Sequence, residues 1–435
     1  MASVRAYRSA LVHLTADPRH AGPEACAWHP DGLLLVEDGH VAAAGDWAAL
    51  SPALPAGVAV EALPGHLLTP GFVDAHVHFP QTDMIGAAGG DLLDWLERST
   101  FPAERAFADP AHAHEVAAAF LDELLRNGTT TAMVFGSVHR QATEALFEAA
   151  LARNMRLIAG KSMMDLGPEG LAEDVQSGQD ETEALIRDWG RRGRLGYAIT
   201  PRFALSSSDD QLAGAGALLA RHEHVWMQTH LAETPRELAL VARRFRPDQG
   251  YRDYLDVYDR FGLVGPRSVF AHCIHMTDRS LHRMADAGAA VAHCPTSNLF
   301  LGSGLYDLAR ADAHGVRTAL GSDVGAGTSF NMLTTAGAAR QVAKLSGGTL
   351  DPLRALYLAT LGGARALGLD DRIGSFQPGR EADFVALDLA ATPLLARRLK
   401  GAGDIADILL GLMTLGDDRA VAGTWIAGVE RHIRA

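Results

Sequence analysis

Between residues 70 and 370, short apolar runs alternate with longer stretches whose apolar positions recur every three or four residues. Such switching between strand and helix periods predicts βα units and a parallel sheet. Eight runs predict strands: "GFVDAHVH" at 71, "TTTAMVFG" at 129, "MRLIAGKSMM" at 155, "GYAITPRF" at 196, "HVWMQTHL" at 224, "SVFAHCIH" at 268, "AAVAHCPT" at 289 and "RTALGSDV" at 317. Helical patterns separate most of them, among them "AHAHEVAAAFLDELLR" at 111–126 and "NMLTTAGAARQVAKL" at 331–345. Eight strands at this spacing predict an α/β fold, a (β/α)8 TIM-like barrel over residues 70–370, rather than an open sheet.

The flanks follow another pattern. Residues 1–69 hold short strand-like pieces with turn residues between them, "DGLLLVEDGHVAAAG" among them, and residues 371–435 do the same with "PGREADFVALDL" and "AVAGTWIAGVE". Both ends read as antiparallel β pieces, so the simplest packing joins 1–69 and 371–435 into one small β-sandwich domain beside the barrel. No internal repeat or low-complexity segment interrupts this division.

Composition narrows the function class. A chain of 435 residues, 48% apolar, is long enough for a barrel with a satellite lobe. Its formal net charge of −13 argues against nucleic acid or an anionic membrane as main partner. It suits a small neutral or cationic substrate better. Cys26, Cys273 and Cys294 make no disulfide framework. The opening "MASVRAYRSALVHLTADP" is too polar for a signal peptide, and no run approaches a membrane span in length. A soluble, cytoplasmic protein is expected.

The candidate chemistry lies at strand ends, where a (β/α)8 barrel builds its active site. His76 and His78, two apart on the first strand, point the same way, as two ligands of one ion must. That pair alone fits an ordinary strand equally well. The other ends add Arg202 and Phe203, His230 with Glu233, His272, His293 and Asp323, while the strand middles are Val, Ala, Leu and Ile. Three imidazoles and a carboxylate suit zinc and leave a position for water, which makes His76, His78, His230 and Asp323 the expected ligands of one ion. Zinc lowers the pKa of its water to about 7 and so provides a nucleophile at neutral pH. Glu233, three residues after His230, is the expected general acid and base, against the alternative of a carboxylate capping the helix that starts near Pro235. His272 is either a further ligand or, preferably, a donor that orients the reacting groups. His293 reads as a packed strand-end residue. Lys161, on the third strand, is a rival only if two ions are bridged by its carbamate.

These residues resemble the amidohydrolase superfamily over essentially the whole chain. Within it they resemble the guanine deaminase family, through "PGFVDAHVHFPQTDMIG", "LLDWLERSTFPAE", "ITPRFALS", "QTHLAET", "YLDVYDRFGLVG", "FAHCIH", "AHCPTSNLFLGSG" and "LGSDVGAGTSFNML" in that order. Phe79, often tyrosine in relatives, departs from the pattern without touching the metal set. The resemblance implies zinc on His76, His78, His230 and Asp323, and proton transfer by Glu233 with Asp323 and His272 assisting. It also implies a purine held by Gln81, Arg202 and Phe203 with His230, Glu233 and Asp323 facing it. The implied reaction is hydrolysis of guanine to xanthine and ammonia, by a homodimer serving guanine catabolism and salvage. A hydrolase of another cyclic amidine, pterin or triazine would keep the metal set and change the partners of Gln81 and Arg202. A non-catalytic scaffold on the same barrel would have lost ligands, and none is missing.

Overall fold

The chain opens with four strands, β1 (Val4–Leu14), β2 (Cys26–Glu37), β3 (His40–Asp46) and β4 (Val60–Pro70), in a computed structural model that describes residues 3–434. Nine follow: β5 (Phe72–His78), β6 (Thr129–Phe135), β7 (Arg156–Gly160), the two-residue β8 (Ser162–Met163), β9 (Leu195–Pro201), β10 (Trp226–Leu231), β11 (Ser268–His272), β12 (Ala290–His293) and β13 (Arg317–Leu320). The chain ends on β14 (Phe384–Asp388), β15 (Val421–Ile426) and β16 (Val429–Ile433).

All eight runs singled out in the sequence become barrel strands, paired in parallel from β5 to β13, with β8 a short side-pairing on β9. Closure comes at the far end: Asp323 N–H donates to the His76 carbonyl at 2.9 Å, and His78 N–H to that of Val324 at 3.0 Å. Helices cover the outside. Pro110–Arg126 shows how: Asp109 caps it, Pro110 sits in its first turn, and Val116, Phe120, Leu121 and Leu124 turn inward at helical spacing. The lumen is packed with apolar side chains from successive strands, including Val73, Ala75, Met133, Ile158, Ala198, Val269, Ala290 and Ala319.

Both chain ends share one seven-stranded sheet, in the order β16-β15-β14-β4-β1-β2-β3. It curls back on itself, since Val41 exchanges backbone hydrogen bonds with Gly379 and Arg380. Tyr7, Phe384 and Trp425 fill the fold, the last two stacked 4.7 Å apart. The tail is not wholly β. Helices Pro393–Leu399 and Ile405–Leu415 interrupt it, and the second packs against Met332–Leu345 and Pro352–Ala359 on the barrel. Among the described residues, no helix is long and apolar enough to cross a membrane.

Charge also joins barrel to sheet. Arg156 Nε donates to Glu381 at 2.9 Å, and Arg194 pairs with both Glu381 and Asp383. Glu381 is only 15% exposed, so solvent screens the network little. Glu381→Gln leaves two guanidinium groups short of a charge and is expected to cost about 3–5 kcal/mol of stability, the scale of a broken buried pair. Urea unfolding would read this as a lower midpoint at constant slope. A loss under about 1 kcal/mol would class the network with surface pairs.

Candidate active site

Strict alternation along β5 would turn its histidines away from the lumen. Val73 and Ala75 belong to the lumen cluster, whereas Val77 packs in the outer core. On that parity 76 and 78 face outward. The register with β6 resolves this: Asp74 pairs with Ala132 but Val77 with Val134, so β5 carries one extra residue. The bulge switches the face, as bulges do beside active sites. His76 and His78 then meet His230, with ring centroids 4.9 and 5.1 Å from it. Below them β13 comes close, and a Cβ on Gly321 would lie 2.9 Å from that of His76.

His272 is re-aimed by another device. Val269 lies in the lumen and Phe270 outside it, so alternation would send His272 outward. Its backbone instead enters the left-handed region at φ 68°, and its ring reaches within 5.7 Å of His76 and 5.6 Å of His230. Asp323, at φ 53°, carries the fourth group of the cluster.

One ligand atom each from His76, His78, His230 and Asp323 lies within 4.8 Å of the others. Protonation suits a cation. His230 Nδ1–H donates to the Arg202 carbonyl at 2.7 Å, which leaves the Nε2 lone pair facing the cluster. Burial pushes His78 down to about 4, and burial with the surrounding imidazoles holds His230 well below its usual range, so both rings are neutral. Burial opposes ionisation of Asp323, yet the neighbouring histidines hold its carboxyl well below the usual carboxylate range. His76 Nε2 is buried without a hydrogen-bond partner, 3.2 Å from Asp323. Three imidazoles and a carboxylate converge here, and this donor set fits a zinc ion held by four protein ligands with a fifth position for water.

Glu233 stands where β10 leaves the barrel, and helix capping is done by others. Thr234 and Glu237 form the capping box of helix Pro235–Arg244, and Glu237 also accepts Glu233 N–H at 2.9 Å. Glu233 is thereby free to face inward. The Ser303 hydroxyl donates to its Oε1 at 2.9 Å, and His272 Nε2 lies 3.4 Å from its Oε2. Burial, then the carboxylates of Asp323 and Glu237, push its acid well up. His272 Nδ1–H donates to Asn298 Oδ1 at 2.9 Å, which aims Nε2 at Glu233 and Asp323.

A cavity opens over the cluster, lined by His78, His230, His272, Glu233 and Asp323 on one side and by Gln81, Arg202 and Phe203 on another. Leu92, Trp95 and Leu96, from the helical segment 92–105, add an apolar wall. Arg202 has a double placement: it lines the cavity and donates to Glu104 at 2.6 Å. Phe203 likewise lines the cavity while packing in the cluster of Trp95 and Leu96. His293 lies outside, buried against Tyr306 at 4.8 Å and pushed down to about 3 by burial. Lys161 is also outside, its ammonium paired with Glu173 and 3.6 Å from Glu181, so it bridges nothing in the cluster.

Sequence reasoning missed several supporting groups. Glu104 closes the stretch "LLDWLERSTFPAE", which served only as a likeness. Asp74 carries no distinguishing mark inside the first strand. It accepts from Ser322 N–H at 3.0 Å and His76 N–H at 3.2 Å, locking β13 to the bulge, and burial pushes its carboxyl up to about 6. Asn298 and Ser303 lie in "AHCPTSNLFLGSG", where nothing local marks them as partners of His272 and Glu233.

The amidohydrolase family model matches residues 67–431. Guanine deaminase of Escherichia coli (strain K12) is 45% identical over 429 residues, which covers 98% of this chain and 97% of its own. Among solved structures, E. coli guanine deaminase superposes with a TM-score of 0.95 at 44% identity over 100% of both chains. Guanine deaminase from C. acetobutylicum, with guanine bound in the active site, gives 0.89 at 27% identity over 99% of this chain and 100% of its own.

Proposed function

This chain belongs to the amidohydrolase family, and from that premise we propose that it hydrolyses guanine to xanthine and ammonia. The observation that carries the reading is the single cavity shared by the His/Asp cluster and by the donors of Arg202 and Gln81. Hydrolytic groups and base-reading groups thus face one space.

His76, His78, His230 and Asp323 would hold one zinc ion. When bound, the ion supplies Lewis acidity that makes a water nucleophilic at neutral pH. The remaining work falls to the chain. Glu233, an acid kept protonatable by burial, takes the proton from the attacking water and passes it to the ring nitrogen beside C2. Asp323 accepts the second proton and helps deliver it to the departing amine. His272, fixed by Asn298, aims Nε2 at the tetrahedral centre, where the ring donates once it carries a second proton. The guanidinium of Arg202 suits the O6 acceptor of guanine, and Phe203 with Trp95 and Leu96 encloses the flat ring. By family likeness the reading extends to a cytoplasmic homodimer in guanine catabolism.

The test is ammonia release from guanine, guanosine, adenine, cytosine and a triazine, with and without chelator. Release from guanine alone, lost on chelation, is expected. Comparable kcat/KM for adenine would sink the reading. Arg202→Lys keeps the charge but loses the planar fork, and is expected to lose at least about 2 kcal/mol in kcat/KM for guanine, the scale of an unpaired buried polar group. A Lys variant within a few-fold of wild type would remove Arg202 from base reading.

A further inference from the structure

The two side chains assigned to reading the base hang from one carboxylate. Glu104 Oε1 accepts Gln81 Nε2–H at 3.1 Å, and Oε2 accepts an Arg202 Nη1–H at 2.6 Å. The Glu104 side chain is 0% exposed and, unlike its two partners, does not line the cavity. Gln81 is held from its other end as well, since Gly325 N–H donates to its Oε1 at 3.2 Å. Arg202 also lies over the ring of Phe101, 5.4 Å from its centroid, on the same five-residue helix, Phe101–Arg105, that carries Glu104. No other side chain among the described residues accepts from Arg202. Its remaining donors are left for the cavity.

Resting on the guanine reading, we propose that Glu104 is a positioning residue that sets base preference without touching the substrate. The chemistry of the junction explains why a carboxylate stands there. Two donors converge from different elements, one on the turn after β5 and one at the end of β9. A carboxylate is acceptor-only and serves both, whereas an amide would turn its own NH2 toward one of them. Its charge also answers that of a guanidinium only 3% exposed. Losing the carboxylate therefore disturbs the aim of both readers together, while the His/Asp cluster keeps its own supports in Asp74 and the Arg202 carbonyl.

The test compares wild type, Glu104→Gln and Glu104→Asp on guanine and on 2,6-diaminopurine, which keeps the 2-amino group and replaces O6 by an amine. Zinc content and Tm are measured alongside. For Glu104→Gln, the KM for guanine is expected to rise about 10–100-fold, as for a lost charge-assisted hydrogen bond, with a smaller fall in kcat. The guanine to diaminopurine ratio of kcat/KM should fall at least about tenfold, with zinc retained. Glu104→Asp keeps the charge but is too short to reach both donors, and should fall between the two. Should the Gln variant fail to fold, the Asp variant decides alone. A purely structural role would lower Tm and both substrates' rates together at an unchanged ratio, and that result overturns the proposal. Wild type inactive on guanine would instead defeat the functional reading beneath it.

Discussion

Glu233→Gln is expected to keep its metal and lose about 10²–10⁴-fold in kcat, the usual worth of a positioned acid–base group. The substitution is nearly isosteric and preserves the Ser303 contact, because the amide oxygen still accepts from that hydroxyl. What it removes is a titratable proton. The buried setting makes that proton matter: burial and two nearby carboxylates raise the Glu233 acid, and a divalent ion at the cluster would pull the other way. The group is thus poised to change protonation during turnover rather than remain fixed in one state. The capping box of Thr234 and Glu237 sharpens the test, because the helix start does not depend on Glu233. Purified variant, with metal analysis and steady-state kinetics, provides the check. More than a tenth of wild-type kcat at full metal occupancy would reduce Glu233 to a bystander.

Removing the metal should have an effect at least as large. Protein stripped with a chelator is expected to release no measurable ammonia, a drop of more than about 10³-fold, since Lewis-acid activation is worth several kcal/mol. One equivalent of zinc should restore the rate. His230→Ala should behave like stripped protein and resist rescue at stoichiometric zinc. Stripping should also lower Tm, because it leaves three buried imidazoles and the Asp323 carboxylate without their ion. Elemental analysis is expected to return one ion per chain. Two tightly held ions would give His272 a ligand's role, and full activity in metal-free protein would remove the ion from the reaction altogether.

The barrel was legible because each of its strands is a short apolar run that stops at a polar group, and runs of that kind carry both element type and boundary. The cluster was legible for the same reason: His76, His78, His230 and Asp323 stand at those stops. Its aim was not. Periodicity places His76 and His78 on one face of β5, but the choice of face depends on an extra residue visible only against β6. Likewise the φ of His272 follows from its neighbours: histidine enters the left-handed region more readily than most residues, but residue type alone does not put it there. Glu104, Asn298 and Ser303 were hidden because their partners lie far along the chain and no spacing rule joins them. The helix Ile405–Leu415 was missed because "IADILLGLMTL" is apolar nearly throughout, a run that periodicity cannot tell from a buried strand.

The seven-stranded sheet imposes an order of assembly on synthesis at the ribosome. β4 is flanked by β1 on one side and β14 on the other, and β14 emerges only after every strand of the barrel has been made. Until then the outer edge of β4 has no neighbour, and Tyr7 waits for Phe384 and Trp425. The nascent N-terminal strands thus present an open edge beside an unfinished core, the kind of surface that recruits other chains. Contacts of such long sequence separation also form slowly. A chain interrupted after the barrel would hold every candidate ligand of the metal cluster and still carry that open edge.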